Sequence, residues 1–83
     1  MLKTLYSVYD KKSKTYAAPF VEVNDGTAIR AIQDLMQSNQ SHPFARHSED
    51  FSLERVGSFN ELSGDIGEDP IGEVIQLKEL TQE

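Results

Sequence analysis

Residues 24–39, NDGTAIRAIQDLMQSN, hold the clearest periodic pattern in the chain. Either Asn24 or Asp25 can cap the start of a helix. Apolar side chains then recur at helical spacing, as on the buried face of an amphipathic helix; they belong to Ala28, Ile29, Ala31, Ile32, Leu35 and Met36. The pattern predicts a helix over residues 25–38. We expect three of its apolar residues to be buried against a sheet: Ile29, Ile32 and Leu35.

Strand-like segments precede this helix. Residues 2–9, LKTLYSVY, place Leu2 and every second residue after it on one face of a strand. A polar turn, DKKSK, follows, and residues 15–23, TYAAPFVEV, resume strand character. These segments predict an N-terminal β-hairpin. Pro19 cannot donate a hydrogen bond to a neighbouring strand, so we expect it at an edge or a bulge.

The segments after the helix are shorter and more broken. Residues 39–50 read as a polar loop, and residues 51–59, FSLERVGSF, as a third strand. Ile66 begins a possible returning strand, GEDP breaks it, and residues 71–77, IGEVIQL, form another short apolar run. We therefore predict an α+β fold, in which the hairpin and two or three short strands form a small antiparallel sheet with the helix packed on one face. The single domain spans residues 1–83, with residues 67–83 as a less ordered C-terminal segment.

Composition limits the class of protein. The chain has 83 residues, enough for one domain. It has no cysteine, which excludes disulfides and thiolate metal sites. No apolar run approaches the ~20 residues that a membrane span needs, so we expect no membrane association. The start of the chain is also too short and too polar to be a secretory signal.

The charge is unevenly distributed. The net charge is −6, which argues against strong nonspecific binding to duplex DNA. Residues 1–17 nevertheless carry four lysines against one aspartate, whereas residues 60–83 carry one lysine against seven acidic residues. A local basic patch therefore remains compatible with the acidic total.

Four residues between positions 42 and 50 invite a metal-site interpretation: His42, His47, Glu49 and Asp50. Strong zinc motifs hold their ligands at set spacing on regular elements, but this segment is irregular and interrupted by Pro43. We predict no metal and no cofactor. The sequence also lacks a nucleophile elbow and a glycine-rich phosphate loop, so we expect no enzymatic activity.

The turn of the first hairpin is basic, with Lys11, Lys12 and Lys14. Nearby strand positions hold Lys3, Tyr6, Tyr9 and Tyr16. Lysines contact phosphates and exposed aromatic rings stack on unpaired bases, a combination that suits single-stranded nucleic acid. In the alternative interpretation, the lysines keep an exposed turn soluble and the tyrosines pack on the helix. The residues alone favour this alternative.

Most of the chain, from about residue 5 to residue 66, resembles a known viral family. The similarity is carried by YSVYDKKSKTYAAPF, VNDGTAIRAIQDLM, HSEDFSLERVGSF and NELSGDI. In order and spacing these stretches resemble the small nonstructural protein of gokushovirus-type microviruses, which are single-stranded DNA bacteriophages. Ser48 stands where relatives often have proline, and Ser63 where they often have threonine.

The resemblance implies a nonstructural protein that acts in the cytoplasm of the infected bacterial host and is absent from the virion. It further implies DNA binding, with a part in the switch from double-stranded replication to single-stranded genome synthesis. The resemblance fixes no binding residue. The candidate DNA-binding residues therefore come from the basic hairpin: Lys3, Tyr6, Lys11, Lys12, Lys14 and Tyr16.

A second hypothesis makes the chain a protein-interaction module. It would recruit or inhibit a phage or host replication protein through an acidic C-terminal surface, whose residues are Glu61, Asp65, Glu68, Asp69 and Glu73. A homodimer is also expected, because a small antiparallel sheet leaves strand edges open for pairing. The first or the last strand is the expected seam, since Pro19 discourages pairing at its own edge.

Overall fold

The computed structural model describes residues 2–81 and has one five-stranded antiparallel sheet with a long helix. The strands are β1 (Leu2–Asp10), β2 (Thr15–Tyr16), β3 (Phe20–Glu22), β4 (Phe51–Asn60) and β5 (Ile66–Gln76). The long helix is α1 (Asp25–Ser38), and the short helical turns are α2 (Pro43–Arg46) and the 3-10 turns Ser48–Asp50 and Leu77–Thr81. The predicted α+β fold is confirmed. Within residues 2–81, no helix combines the length and the apolar character needed to cross a membrane.

Strand β1 lies inside the sheet. It pairs with β4 along its whole length on one side, and with β2 and then β3 on the other. Strand β5 pairs with β4 and forms the far edge. Tyr9 is the partner of Tyr16, and Tyr6 is the partner of Phe20, so residues 17–19 bulge out between β2 and β3. Pro19 therefore lies at an edge and in a bulge, as predicted.

The hairpin of β4 and β5 corrects the prediction of short, broken strands. The GEDP stretch does not end the strand, because it lies inside β5, which is 11 residues long. Arg55 pairs with Gly72 and Gly57 pairs with Glu68, which leaves residues 69–71 opposite Val56 as a bulge. A proline is tolerated there because an edge strand has no ladder partner on its outer side.

The strand arrangement corrects one of the two expected dimer seams, the first strand, and leaves the other, the last strand, untested. The first strand, β1, is paired on both sides and offers no edge. The last strand, β5, has an outer edge, but acidic side chains, Pro70 and the bulge at residues 69–71 are features that discourage edge-to-edge pairing. The homodimer itself stays a prediction, and light scattering that returns the 9.3 kDa monomer mass at micromolar concentration would contradict it.

The core lies between α1 and one face of the sheet. It contains Tyr6, Val8, Ala28, Ile32, Met36, Phe51, Leu53 and Leu77. On the helix, the predicted burial of Ile32 is confirmed, but Ile29 and Leu35 are only half-buried. The reason is geometric: the buried row runs along Ala28, Ile32 and Met36 at four-residue spacing, and the other two positions flank it.

Both candidate residues at the start of α1 have a role. Asn24 is the N-cap and accepts a hydrogen bond from the Thr27 amide at 3.0 Å. Asp25 instead connects the helix to the sheet, because its carboxylate accepts from the Tyr6 hydroxyl at 2.7 Å and from the Arg55 guanidinium at 2.6 Å. The first turn of the helix is thereby fixed against β1 and β4.

Two segments contain more regular secondary structure than the sequence indicated. The expected polar loop over residues 39–50 contains α2, where Phe44 packs against Phe51 with ring centroids 4.9 Å apart. The segment after residue 67 completes β5 and then forms a 3-10 turn in which Leu77 is fully buried. The less ordered C-terminal segment over residues 67–83 stays a prediction, and its last two positions lie outside the described residues.

Candidate functional site

The face of the sheet opposite α1, here called the open face, carries most of the candidate site. Successive residues of a strand point to opposite sides. Because Tyr6 and Val8 lie in the core, Ser7 and Tyr9 of the same strand belong to the open face. Tyr16 pairs with Tyr9 and therefore joins them. The open face thus begins at the first hairpin and extends across β4 to β5.

The turn between β1 and β2, residues 11–14, here called the lysine turn, is held by Asp10. The Asp10 carboxylate accepts hydrogen bonds from the amides of Lys12 at 2.9 Å and Ser13 at 3.3 Å. The Lys12 amide, the largest influence, keeps the pKa of the Asp10 carboxyl below its usual value. Lys14 closes the turn by donating its amide to the Asp10 carbonyl at 2.7 Å. The lysine side chains of the turn are all exposed.

The turn contains a backbone conformation that lysine rarely adopts. Lys14 has a φ of +61°, in the left-handed region. For any residue with a side chain, this region costs roughly 1–2 kcal/mol, because the Cβ crowds the backbone. A position with this geometry favours glycine. The protein nevertheless has a lysine there, which adds a third positive charge to a four-residue turn.

A pair of tyrosines adjoins the lysine turn. The ring centroids of Tyr9 and Tyr16 are 4.7 Å apart, and Tyr16 is 45% exposed. The Tyr16 hydroxyl donates to Glu54 at 3.3 Å, and the Ser52 hydroxyl donates to the same carboxylate at 2.8 Å. Partial desolvation and then the Glu54 charge raise the pKa of Tyr16. The exposed ring therefore has a fixed orientation, and it can stack on a planar ligand.

Hydrogen bonds connect the turn to the rest of the open face. The Lys11 amine donates to the Gln76 side-chain carbonyl, and the Gln76 amide donates to Glu73 at 2.7 Å. The Lys11 backbone amide donates to the Asp50 carbonyl at 2.9 Å. Lys11 is thus held over the sheet, whereas Lys12 and Lys14 extend from the exposed end of the hairpin.

Two predicted DNA-binding residues lie away from this site. Tyr6 is only 1% exposed and lies in the core, so it cannot stack on a base in this conformation. Lys3 forms an ion pair with Glu61 at 2.9 Å near the opposite end of β1. At roughly 3.3 Å per residue, eight residues of strand separate Lys3 from Lys11 by about 26 Å. The structure therefore brings together Lys11, Lys12, Lys14 and Tyr16.

Tyr9 belongs to the site but is not among the predicted residues. The signal that identifies it is the alternation of β1. Tyr6 and Tyr9 are three residues apart, so they occupy opposite faces of one strand. Tyr6 shares its face with Leu2, Thr4 and Val8. The sequence itself therefore indicates that Tyr9, and not Tyr6, lies on the same face as Tyr16.

The acidic residues of the second hypothesis are exposed but do not form one cluster. Glu61 and Asp65 lie at the turn between β4 and β5, and the others lie along β5; these are Glu68, Asp69 and Glu73. Glu73 is the register partner of Glu54, so two carboxylate-bearing residues are directly opposed on the open face. Such like-charged neighbours destabilise a strand pair.

The possible metal ligands separate into two groups. His42 caps α2 by accepting a hydrogen bond from the Phe44 amide at 3.1 Å, and its ring packs on Phe44. The ligand atoms of His47, Glu49 and Asp50 lie within 4.8 Å of one another on the surface. Exposed acidic groups are common without an ion, and the prediction that the protein needs no metal stays a prediction.

Concave surfaces in the described part of the chain include a cleft and a groove. A cleft of about 350 Å³ lies between α1 and the C-terminal 3-10 turn, and its wall includes Gln33, Gln37 and Leu80. A groove of about 210 Å³ lies on the open face next to Tyr16. The groove shares this residue with the tyrosine pair, so the second surface is continuous with the candidate site.

Comparison with known proteins identifies a family. The model of the family described as "Phage ORF5 protein" matches residues 3–80, which include the lysine turn, α1 and both strands of the second hairpin. No curated protein and no solved structure matches the chain. Because the match covers nearly the whole sequence, the chain belongs to the phage ORF5 protein family.

Proposed function

We propose that this phage protein is a non-enzymatic, single-stranded DNA-binding accessory factor in viral genome replication. In this proposal it is a nonstructural protein of a gokushovirus-type microvirus and acts in the host cytoplasm, outside the virion. Its role is to assist the switch to single-stranded DNA synthesis. The observation that carries the proposal is the exposed lysine turn beside the fixed, outward ring of Tyr16.

The lysine turn supports the proposal by its charge and by its backbone. Phosphates of a single strand are bound by grooves or turns of positive charge, while bases stack on aromatic rings. Lys14 keeps this charge in a left-handed conformation that glycine would occupy at lower free energy. Residues in costly backbone conformations concentrate at functional sites. A lysine at this position is therefore better explained by a ligand than by solubility alone.

The acidic groups on the same face set limits on affinity and specificity. Glu54 and Glu73 repel phosphates, and the whole chain carries a net charge of −6. We therefore expect moderate affinity that is highest at low ionic strength, where lysine–phosphate attraction is least screened. Single strands bind better than duplex because stacking requires unpaired bases.

The test is a salt titration of binding to a labelled single-stranded oligonucleotide. Each neutralised phosphate contributes about −0.7 to the slope of log affinity against log salt, so three lysines give about −2. The triple variant Lys11→Gln/Lys12→Gln/Lys14→Gln should flatten the slope and keep its fold, since the turn is exposed. Lys78→Gln, an exposed lysine after β5, is the control and should leave the slope unchanged. Equal binding by the triple variant would place the DNA surface elsewhere.

A second candidate function is recruitment or inhibition of a phage or host replication protein. The observation that favours it is the outer strand β5, which exposes Glu68, Asp69 and Glu73 together with Ile71. If this candidate is correct, the wild type binds no single-stranded DNA even at low salt. Neutralising the three acids with amides then reduces single-stranded phage DNA in infected cells, whereas the lysine triple variant does not.

A further inference from the structure

We propose that the groove on the open face, here called the open-face groove, is a pocket for one unpaired nucleobase of a strand whose phosphates contact the lysine turn. The groove has a volume of about 210 Å³ and is lined by Ser7, Tyr16, Ala17, Pro19, Val56 and Ile71. This inference rests on the proposed DNA-binding function, and it adds a site, a ligand class and a mode of recognition.

The walls of the groove come from two irregularities in the sheet. One is the bulge at residues 17–19, between β2 and β3, and the other is the bulge at residues 69–71 in β5. They lie on opposite edges of the sheet, about 14 Å apart across three strand spacings of roughly 4.8 Å. Both occur at the level where β1 passes from Leu5 to Val8. Bulges redirect side chains and are frequent beside binding sites. Here two of them supply the side chains on opposite sides of the open-face groove.

The chemistry of the groove fits a flat ring with apolar faces. The lining residues carry two hydroxyls, and both already donate: that of Ser7 to the Ala17 carbonyl at 2.6 Å and that of Tyr16 to Glu54 at 3.3 Å. Two large apolar side chains remain exposed at the rim, since Tyr16 is 45% and Ile71 is 56% exposed. A site with few polar groups to read base edges accepts any base by stacking and van der Waals contact. We therefore expect little dependence on base identity.

The groove lies beside the lysine turn, so a ligand in the groove can also place a negative charge against the lysines. Tyr16 lines the groove and follows Lys14 by two residues, which is about 7 Å along an extended chain. A ligand that fills the groove and also reaches the lysine turn combines an apolar ring with an adjacent negative charge. A nucleotide of a single strand has this chemistry. Tyr9 and Glu54 already hold the Tyr16 side chain in place, so little ordering is needed on binding.

Charge disfavours a second copy of the chain as the occupant. Glu54 and Glu73 are opposed on the open face, so packing two open faces together would bring four carboxylates into one interface. Unpaired like charges in an interface are costly. The lysines at the hairpin end attract a polyanion to the same surface.

The experiment compares a thymine-bearing oligonucleotide with an abasic strand of the same length and charge, at low salt. One stacked base is worth about 1–3 kcal/mol, so the wild type should prefer the thymine-bearing strand roughly 5- to 150-fold. Ile71→Ala and Tyr16→Ala should reduce this preference toward unity and keep the salt slope, because the lysines are unchanged. Ile66→Ala is the matched control, since Ile66 is a 68% exposed residue of the same strand outside the groove.

Three results would overturn the inference, and they are distinguishable. Salt-dependent binding with equal affinity for both strands removes the groove but leaves the DNA-binding proposal intact. Absence of binding to either strand removes both proposals. A concentration-dependent dimer that dissociates in Ile71→Asp identifies a second copy as the occupant. Circular dichroism of each variant verifies folding. Because Ile71 is exposed, both Ile71→Ala and Ile71→Asp should be compatible with the fold.

Discussion

The two faces of the sheet are built by alternate residues of the same strands, yet they differ in solvent exposure and in charge. On the face toward α1, Tyr6, Val8 and Leu53 are at most 2% exposed. On the open face, Tyr16 and Ile71 are about half exposed and carboxylates stand opposite each other. Because side chains alternate with a period of two, one face can maintain the fold while the other is free to acquire a binding function.

The two faces also differ in how many irregularities of strand pairing lie beside them. Among the described residues, no buried side-chain nitrogen or oxygen lacks a hydrogen-bond partner, so the core contains no unsatisfied polar group. The register is interrupted at residues 17–19, at Val56, at residues 69–71 and at Val74; the first three border the groove on the open face, whereas Val74 packs against the core. Local departures from otherwise consistent rules are expected at functional sites. Most of the irregular positions therefore border the candidate site on the open face.

The largest expected effect tests the difference in burial. Ile32→Ala should cost about 2–5 kcal/mol, because Ile32 is 6% exposed and its truncation leaves a cavity in the core. Ile71→Ala, the same substitution on the open face, should change stability by at most about 0.5 kcal/mol. Urea denaturation measures both values. If Ile32→Ala fails to fold, Ile32→Val should still cost about 0.5–1.5 kcal/mol; unchanged stability in Ile32→Val would remove this helix face from the core.

The helical side of the molecule was the more predictable from sequence. The predicted helix, residues 25–38, agrees with α1 at both ends, since the capping Asn24 and the apolar spacing are local signals. Burial along the helix was less accurate, because the exact row that faces the sheet depends on how the helix is rotated. Ala28 and Met36 are buried where Ile29 and Leu35 were expected.

The open face was less predictable because its features depend on strand pairing. The GEDP stretch has the composition of a chain break, and only its pairing with β4 makes it a bulge within β5. The groove joins Tyr16 to Ile71, which are 55 positions apart, and no local pattern connects them. The lysine turn was predictable as a unit, but grouping Lys3 and Tyr6 with it ignored strand length and alternation.

The second-largest expected effect is a loss of stability at alkaline pH, caused by Tyr6 on the core face. Desolvation, followed by the hydrogen bond and charge of Asp25, raises the pKa of Tyr6 from 10.0 to about 12. A group with a raised folded pKa contributes stability that is complete below pH 10 and is lost as the pH rises toward 12. At 1.36 kcal/mol per pKa unit, the loss is roughly 2–3 kcal/mol.

Tyr6→Phe isolates this contribution. At neutral pH it should cost about 1 kcal/mol, because the hydrogen bond to Asp25 is removed. Between pH 10 and 12 the order should reverse, because the unfolded wild type releases the phenol proton near pH 10 whereas the folded wild type holds it up to about pH 12, and the variant has no phenol. Denaturation curves of both proteins between pH 8 and 12 measure the crossing, and a constant difference over that range would show that Tyr6 does not resist ionisation.

The third effect separates stability from binding at the lysine turn. Lys14→Gly should stabilise the protein by roughly 0.5–1 kcal/mol, because glycine occupies a left-handed conformation without the Cβ penalty and this outweighs its unfolded-state entropy. The same substitution removes a charge and should weaken binding to single-stranded DNA. Lys12→Gly is the control, since Lys12 lacks the positive φ, and it should weaken binding without stabilising. Equal thermal shifts in the two variants would refute the strain at Lys14.

The smallest effect concerns the opposed carboxylates of the open face. Glu73→Gln should stabilise the protein by about 0.2–1 kcal/mol, because it removes a like charge directly across from Glu54. The amide retains an oxygen that can accept the hydrogen bond from Gln76. Glu68→Gln is the matched control: it removes the same charge from the same strand, but its partner is Gly57, so it should have a smaller effect. Single-stranded DNA should also bind Glu73→Gln more tightly, since a repulsive charge near Lys11 is gone. If the two variants have the same melting temperature at low salt, cross-strand repulsion does not act on this face.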